Sequence, residues 1–309
     1  MNRTRALTEG AILASLYAVL FLITLYLPII STITLFLLSL PFAIYTVRHG
    51  FKKSLLLVGT AIVLSIILGS IASINIPILF GSVGVVMGHF YRKKSSSFAL
   101  LLGTTFAFLA NFILIYIVSI LFFDINLTTL TKESIEQMIA MTESFGGILG
   151  GDVEKSVEQL KGLLVVIPYL LPALFVIMAV IFAFITILIN NIFMKKLNID
   201  VPEWKPFREW SFPKSIIWYY LATILIFLSG PEQGSGLYIV TNNLYLILEI
   251  ILVIQGLAVI YYYFWKKGKG KTIPVLVTIL LFILPLGFYV VRILGIIDLG
   301  FDLRKRIKA

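Results

Sequence analysis

The chain has 309 residues, 60% of them hydrophobic and 13% charged, with a net charge of +10, a mean hydropathy of +1.03 and no cysteine. That balance excludes a fold around one aqueous core, which would leave large apolar faces in water, and it excludes disulfides and thiol chemistry. The positive charge does not point to nucleic acid, because Lys and Arg gather beside apolar runs, where they set membrane orientation and meet anionic headgroups.

Six apolar runs, 6–27, 29–47, 54–74, 76–91, 98–122 and 163–194, predict membrane-spanning helices. Most are long enough, at about 1.5 Å per residue, to cross about 30 Å of hydrocarbon. Arg3 and Arg5 precede the first run, and Arg48, Lys52 and Lys53 separate the second from the third. Arg92, Lys93 and Lys94 separate the fourth from the fifth, and Lys195 and Lys196 follow the sixth. If each run crosses once, these clusters share one side, so the charge rule predicts a six-span unit, residues 1–196, with a cytoplasmic N-terminus. A cleavable leader is disfavoured, since the first run is too long and no small-residue cleavage pattern stands before Pro28.

Within this unit, Gly10, Ala14 and Ala18 form a stripe of small residues on the first helix. Such a stripe admits a close neighbour, either another helix of the chain or a partner protein that docks there. The short fourth run carries Pro77, Gly81, Gly84 and Gly88. Glycine-interrupted spans occur near transport sites, and tight helix packing requires the same glycines. Asn75, Thr104 and Asn111 are the candidates for lining a substrate pocket, with interhelical hydrogen bonding as the alternative. His49 and His89 fall at helix ends without metal-ligand or catalytic spacing, so neither a metal nor a cofactor is expected, and no enzymatic constellation is found.

The segment 124–162 is acidic where the rest is basic. Its apolar spacing predicts two short amphipathic helices joined at Gly146, Gly147, Gly150 and Gly151, forming either a lid over an outer pocket or a packed interfacial loop. Residues 197–214, with Pro202, Trp204, Pro206, Trp210 and Pro213 among basic residues, suit a cytoplasmic linker at headgroup depth.

A C-terminal annex of two to three spans, residues 215–309, then follows as runs 215–229, 237–265 and 273–299. Glu249 stands mid-run, with Asn242 and Gln255 on the same run, and Arg292 stands in the next. A carboxylate at that depth needs a partner, and antiparallel packing of the two helices would bring Arg292 within reach. The pair serves either helix packing or a proton or cation relay. The last run is long enough to cross, but crossing would export Arg304, Lys305, Arg306 and Lys308, against the charge rule. The alternative is that Pro285 and Gly287 break it so that it re-enters.

Three stretches carry a family resemblance: Leu7-Thr8-Glu9-Gly10-Ala11 leading into Ala14 and Ala18, Pro206-Phe207-Arg208-Glu209-Trp210-Ser211-Phe212-Pro213, and Leu294-Gly295-Ile296-Ile297-Asp298 with Phe301-Asp302-Leu303-Arg304. They resemble the YybS family of bacterial membrane proteins of unknown function. Over the first six spans that family is in turn similar to the S components of energy-coupling factor vitamin transporters. This resemblance implies an all-α polytopic fold that captures a small solute from the outer face. It also implies a membrane coupling subunit docked on the small residues of the first helix, with energy supplied by separate subunits. The annex has no counterpart in a minimal S component. The alternative is a non-transporting scaffold or regulatory protein, docking partners through the first helix and the basic inner loops.

Overall fold

The computed structural model describes residues 3–124, 126–149, 153–284 and 286–307, and among these it contains helices and no strand. Among the described residues, seven helical stretches are long and apolar enough to cross a membrane: Thr4–Tyr26, Pro28–His49, Phe51–Leu68, Ile71–Arg92, Ser97–Phe122, Val153–Lys196 and Gly236–Lys266. Ile29, Leu56 and Phe122 are largely exposed, which only a lipid solvent makes tolerable. The chain divides into two compact units, Met1–Leu130 with Leu174–Glu203, and Thr131–Ala173 with Trp204–Ala309.

The first unit holds α1 (Arg3–Tyr26), α2 (Pro28–Leu37), α3 (Leu40–His49), α4 (Phe51–Leu68), α5 (Asn75–Arg92), α6 (Ser97–Phe123) and the later part of α8 (Val153–Lys196). The run 29–47 is two helices, because Pro41 brings no N–H to the Leu37 carbonyl and its ring crowds it. At the break, the buried Asn190 donates from Nδ2 to the Phe36 carbonyl at 3.2 Å and to Ser39 Oγ at 3.0 Å. In hydrocarbon, a freed backbone group needs such a partner. A Cβ at Gly84 would overlap the Ser39 carbonyl and one at Gly88 the Ala43 carbonyl, so these glycines let α5 lie directly on α3. Lipid tails are as apolar as the helices, so contact at this distance, rather than expulsion of water, holds the bundle.

In the second unit, the expected pair of short amphipathic helices takes another form. Helix α7 (Leu127–Leu149) runs on through Gly146 and Gly147, while residues 153–160 are the first turns of the 44-residue α8. Each glycine costs only about 1 kcal/mol inside a helix, which a helix of this length sustains. Gly150 and Gly151 lie outside the described residues.

The rest of this unit is α9 (Ser215–Leu228), α10 (Gly236–Lys266), α11 (Thr272–Ile283), α12 (Gly287–Phe301) and α13 (Leu303–Arg306), preceded by a 3-10 turn at Phe207–Glu209. The run 273–299 is therefore not one crossing helix. Pro285 lies outside the described residues, and at Gly287 the chain turns so tightly that a Cβ would overlap the Leu281 carbonyl.

The direction of α12 follows from its register against α10. Glu249 meets Arg292 and Gln255 meets Asp298, both pairs separated by 43 positions (292−249 and 298−255), while Gly295 against Leu252 and Gly256 against Val291 mark where the two backbones cross. A constant difference is the register of parallel helices, whereas antiparallel ones keep a constant sum. The expectation that Glu249 and Arg292 sit on antiparallel helices is thus corrected, because α11 and α12 form a hairpin that returns.

Its ends agree with that direction. Arg304 donates to the carbonyls of Arg208 and Trp210 at 3.1 and 2.8 Å, while the Arg208 guanidinium lies 4.5 Å from the Trp265 ring and Phe207 packs on Tyr261. The end of α12 therefore lies at the same end of the unit as the end of α10, from which α11 starts. At about 18 and 22 Å, neither helix spans the hydrocarbon alone.

Candidate functional site

A buried polar cluster of the second unit is built on the returning helix. Arg292 donates from Nη1 to a carboxylate oxygen of Glu249 and to the Tyr245 hydroxyl at 3.1 Å, with its guanidinium 4.9 Å from the Tyr289 ring. The two charged side chains are only 15% and 16% exposed. Tyr245 stacks between Tyr220 and Phe227 at 5.6 and 6.2 Å, which fixes the phenol against the guanidinium. The arrangement is a net-neutral ion pair with an adjoining hydroxyl, able to hold a proton or to open to a polar solute. Its spacing on the helices permits it because Gly256 and Gly295 let the two backbones touch, with a Cβ on either overlapping a carbonyl of the other helix.

Two turns further along α12, Asp298 is locked. It accepts from Gln255 Nε2, from the Arg304 backbone N–H at 3.0 Å and from Arg304 Nε at 2.9 Å, while Gln255 Oε1 accepts from the Phe212 N–H at 3.0 Å. Gln255 thus ties the hairpin's end to α10 and to the segment before α9, and Arg304 closes its last turn.

A polar feature that the sequence reading missed is Asn243. In α8, the Tyr169 carbonyl and the Ala173 N–H would normally bond to each other. Instead the Ala173 N–H donates to Asn243 Oδ1 at 2.7 Å and Asn243 Nδ2 donates to the Tyr169 carbonyl at 2.6 Å. The side-chain amide is inserted in the helix ladder beside Pro168 and Pro172, whose rings disrupt it. The signal available in sequence was those two prolines within one long span; the neighbouring Asn242 drew the attention, and it bonds only its own turn, at the Tyr238 carbonyl.

In the first unit, the predicted pocket residues do not converge. Thr104 is fully buried and spends its hydroxyl on the Leu100 carbonyl at 2.7 Å, and Asn111 donates to Ser82 Oγ at 2.8 Å and to the Ala107 carbonyl at 2.7 Å. The Asn111–Ser82 and Gly103–Phe90 contacts give α5 and α6 an antiparallel register that puts Thr104 at the level of His89. Asn75, exposed at the opposite end of α5, is about 21 Å from that level. Of the two neighbours open to the small-residue stripe, the structure shows an internal one at two positions: Ala14 is buried and Gly10, half-buried, lies under the Tyr45 ring at 3.4 Å. The lipid-side face of α1 is instead Leu7, Ile12 and Val19.

Nearby, Glu9 pairs with His49 Nε2 at 2.7 Å and with Arg5 and Arg48 at 3.2 and 3.7 Å, pinning the start of α1 to the end of α3. At the surface, Lys94 and Asp200 pair at 2.6 Å; their hydrogen bond holds the carboxyl below, and the ammonium above, its usual range.

The helices, the lipid-facing apolar surface and the buried ion pair define a polytopic all-α membrane protein. Its sequence matches the model of a family described as predicted membrane protein (DUF2232) over residues 15–299. The chain is also 34% identical to the uncharacterized protein YybS of Bacillus subtilis (strain 168) across the full length of both. It belongs to this family. No solved structure matches it.

Proposed function

We propose that the protein binds a small solute in the membrane and moves it across, and that the α11–α12 hairpin is the working element. The observation that carries this reading is the Glu249–Arg292 pair on a helix that enters the apolar layer and returns. Ionisable residues at such depth mark pathways, and discontinuous helices form the sites of many transporters. The break between α2 and α3 and the amide-spliced α8 are further interruptions of the same kind. The basic joints orient the N-terminus and the hairpin's ends toward the cytoplasm of the bacterial cell.

On this reading, the first unit captures solute from the outer face in the manner of an S component, with separate subunits supplying energy. On the stripe of Gly10, Ala14 and Ala18, Ala14 is already buried and Gly10 faces Tyr45, so a coupling subunit or other partner finds only part of that face free.

A thermal-shift panel of vitamins, nucleobases and metal ions on the detergent-purified protein tests the proposal. One compound class is expected to raise Tm, and its binding is expected to weaken at least tenfold in Glu249→Gln. A flat panel together with recovery of a stable non-ATPase partner overturns it.

A further inference from the structure

At the end of the second unit where α10 and α12 terminate lies a cleft of about 340 Å³, lined by Arg208, Lys214, Arg304 and Lys305 among Glu209, Asp298 and Asp302, with Ser211 and Tyr262 as neutral hydroxyl donors. The charges are unevenly paired. Asp298 is consumed by Arg304, as described, and the single carboxylate of Asp302 is shared by Lys214 at 2.9 Å and Lys305 at 3.4 Å. Lys214 most, and Lys305 less, hold the Asp302 carboxyl below its usual range, so one charged carboxylate is shared by two lysines and one lysine is in surplus. Arg208 reaches Glu209 only at 3.7 Å, and its Nε–H is buried with no acceptor. A guanidinium donor withheld from water lacks the oxygen it would normally hold.

The depth of the cleft is set by aromatics. Trp265 lies beneath the Arg208 guanidinium, and Trp210 and Tyr261 pack on Phe207. Trp and Tyr in such a belt mark the headgroup layer. The adjoining link adds Lys266, Lys267, Lys269 and Lys271, and the chain continues with Arg306. An anion arriving there meets a basic field and the partly exposed Arg208 guanidinium, whose side chain is 28% accessible.

We propose that this cleft is a binding site for a phosphate group, held by Arg208 with Lys214 and Lys305 and presented by the headgroup of an acidic phospholipid. Arg208 forks the phosphate oxygens, and the lysines reach it by releasing one of their two contacts to Asp302. Occupation would tie the linker before α9 to the end of the returning hairpin.

The test is the melting temperature of the full chain in a neutral detergent, with short-chain phosphatidylglycerol, short-chain phosphatidylcholine or inorganic phosphate added. Wild type is expected to gain a few degrees with phosphatidylglycerol and none with phosphatidylcholine. Arg208→Gln and Arg208→Lys are expected to lose the gain, the second because a lysine keeps the charge without the fork. Lys271→Gln, an equal loss of charge in the neighbouring link, is expected to keep it. A gain with inorganic phosphate that matches the lipid's and vanishes in both Arg208 variants supports the same site with free phosphate as the source. No gain with either anion, a gain that persists in Arg208→Lys, or one lost equally in Lys271→Gln overturns the proposal. Should Arg208→Gln fail to fold, Arg208→Lys and Lys305→Gln carry the comparison.

Discussion

Arg292 meets Glu249 across two parallel helices, in the same 43-residue register that joins Gln255 to Asp298. The ion pair is therefore both a charge buried in an apolar layer and a marker of the hairpin's direction. Removing one partner leaves the other uncompensated, at a cost of about 3 kcal/mol. Glu249→Gln and Arg292→Gln should each lower unfolding stability in detergent, and the double variant should lose at least about 1 kcal/mol less than the two losses combined. Strict additivity would show that the pair does not act as a unit.

The contact that permits this register is between backbones. Gly256 and Gly295 each face a carbonyl of the other helix, and a methyl on either must push the helices apart. Gly295→Ala should cost about 1–3 kcal/mol, whereas Gly236→Ala, in open space at the start of α10, should be near neutral. Equal melting temperatures for the two variants would contradict the packing.

Asn243 serves α8 as well as its own turn of α10, where it also donates to the Ile239 carbonyl at 2.7 Å. Replacing it with Leu leaves the Tyr169 carbonyl and the Ala173 N–H without their partner in hydrocarbon, a loss of about 2–3 kcal/mol. Asn242→Leu, which removes only a bond to its own turn, should lose less than half of that. Hydrogen exchange at Ala173 should rise in the Asn243 variant and not in the other.

Helix α1 makes the opposite use of its two faces. Ala14→Leu should destabilise the protein by about 1–3 kcal/mol, because the side chain has no room against the neighbouring helices. Ile12→Ala, on the exposed face, should stay within about 0.5 kcal/mol of wild type. A stable Ala14→Leu protein that loses a bound partner would assign the stripe to docking instead.

Much of the architecture was legible in the sequence because lipid imposes simple demands. Spans need length and apolarity, and an isolated carboxylate such as Glu249 needs a cation, for which Arg292 stood ready. Direction was less legible. Hydropathy over 273–299 counts length, and the turn rests on how Gly287 packs against Leu281, which no periodicity records. The basic tail did carry the signal, since Arg304, Lys305 and Arg306 fit the charge rule only if the chain returns. The stripe of Gly10, Ala14 and Ala18 likewise announced a close neighbour without saying whose. Thr104 and Asn111 were visible as polar residues in a span, but their hydrogen bonds within α6 and to Ser82 are satisfied by neighbours the sequence does not rank. Asn243 escaped because its partners are main-chain groups freed by two distant prolines.

The native chain has no cysteine, so single-cysteine variants report sidedness directly. Lys269→Cys stands in the link before α11 and Arg306→Cys beyond α12, and a membrane-impermeant maleimide applied to intact cells and then to inverted vesicles reads the side of each. The returning hairpin predicts that both cysteines are labelled from the same side. Labelling of Lys269→Cys from one side and Arg306→Cys from the other would mean that the last segment crosses, and would contradict the parallel register of α10 and α12.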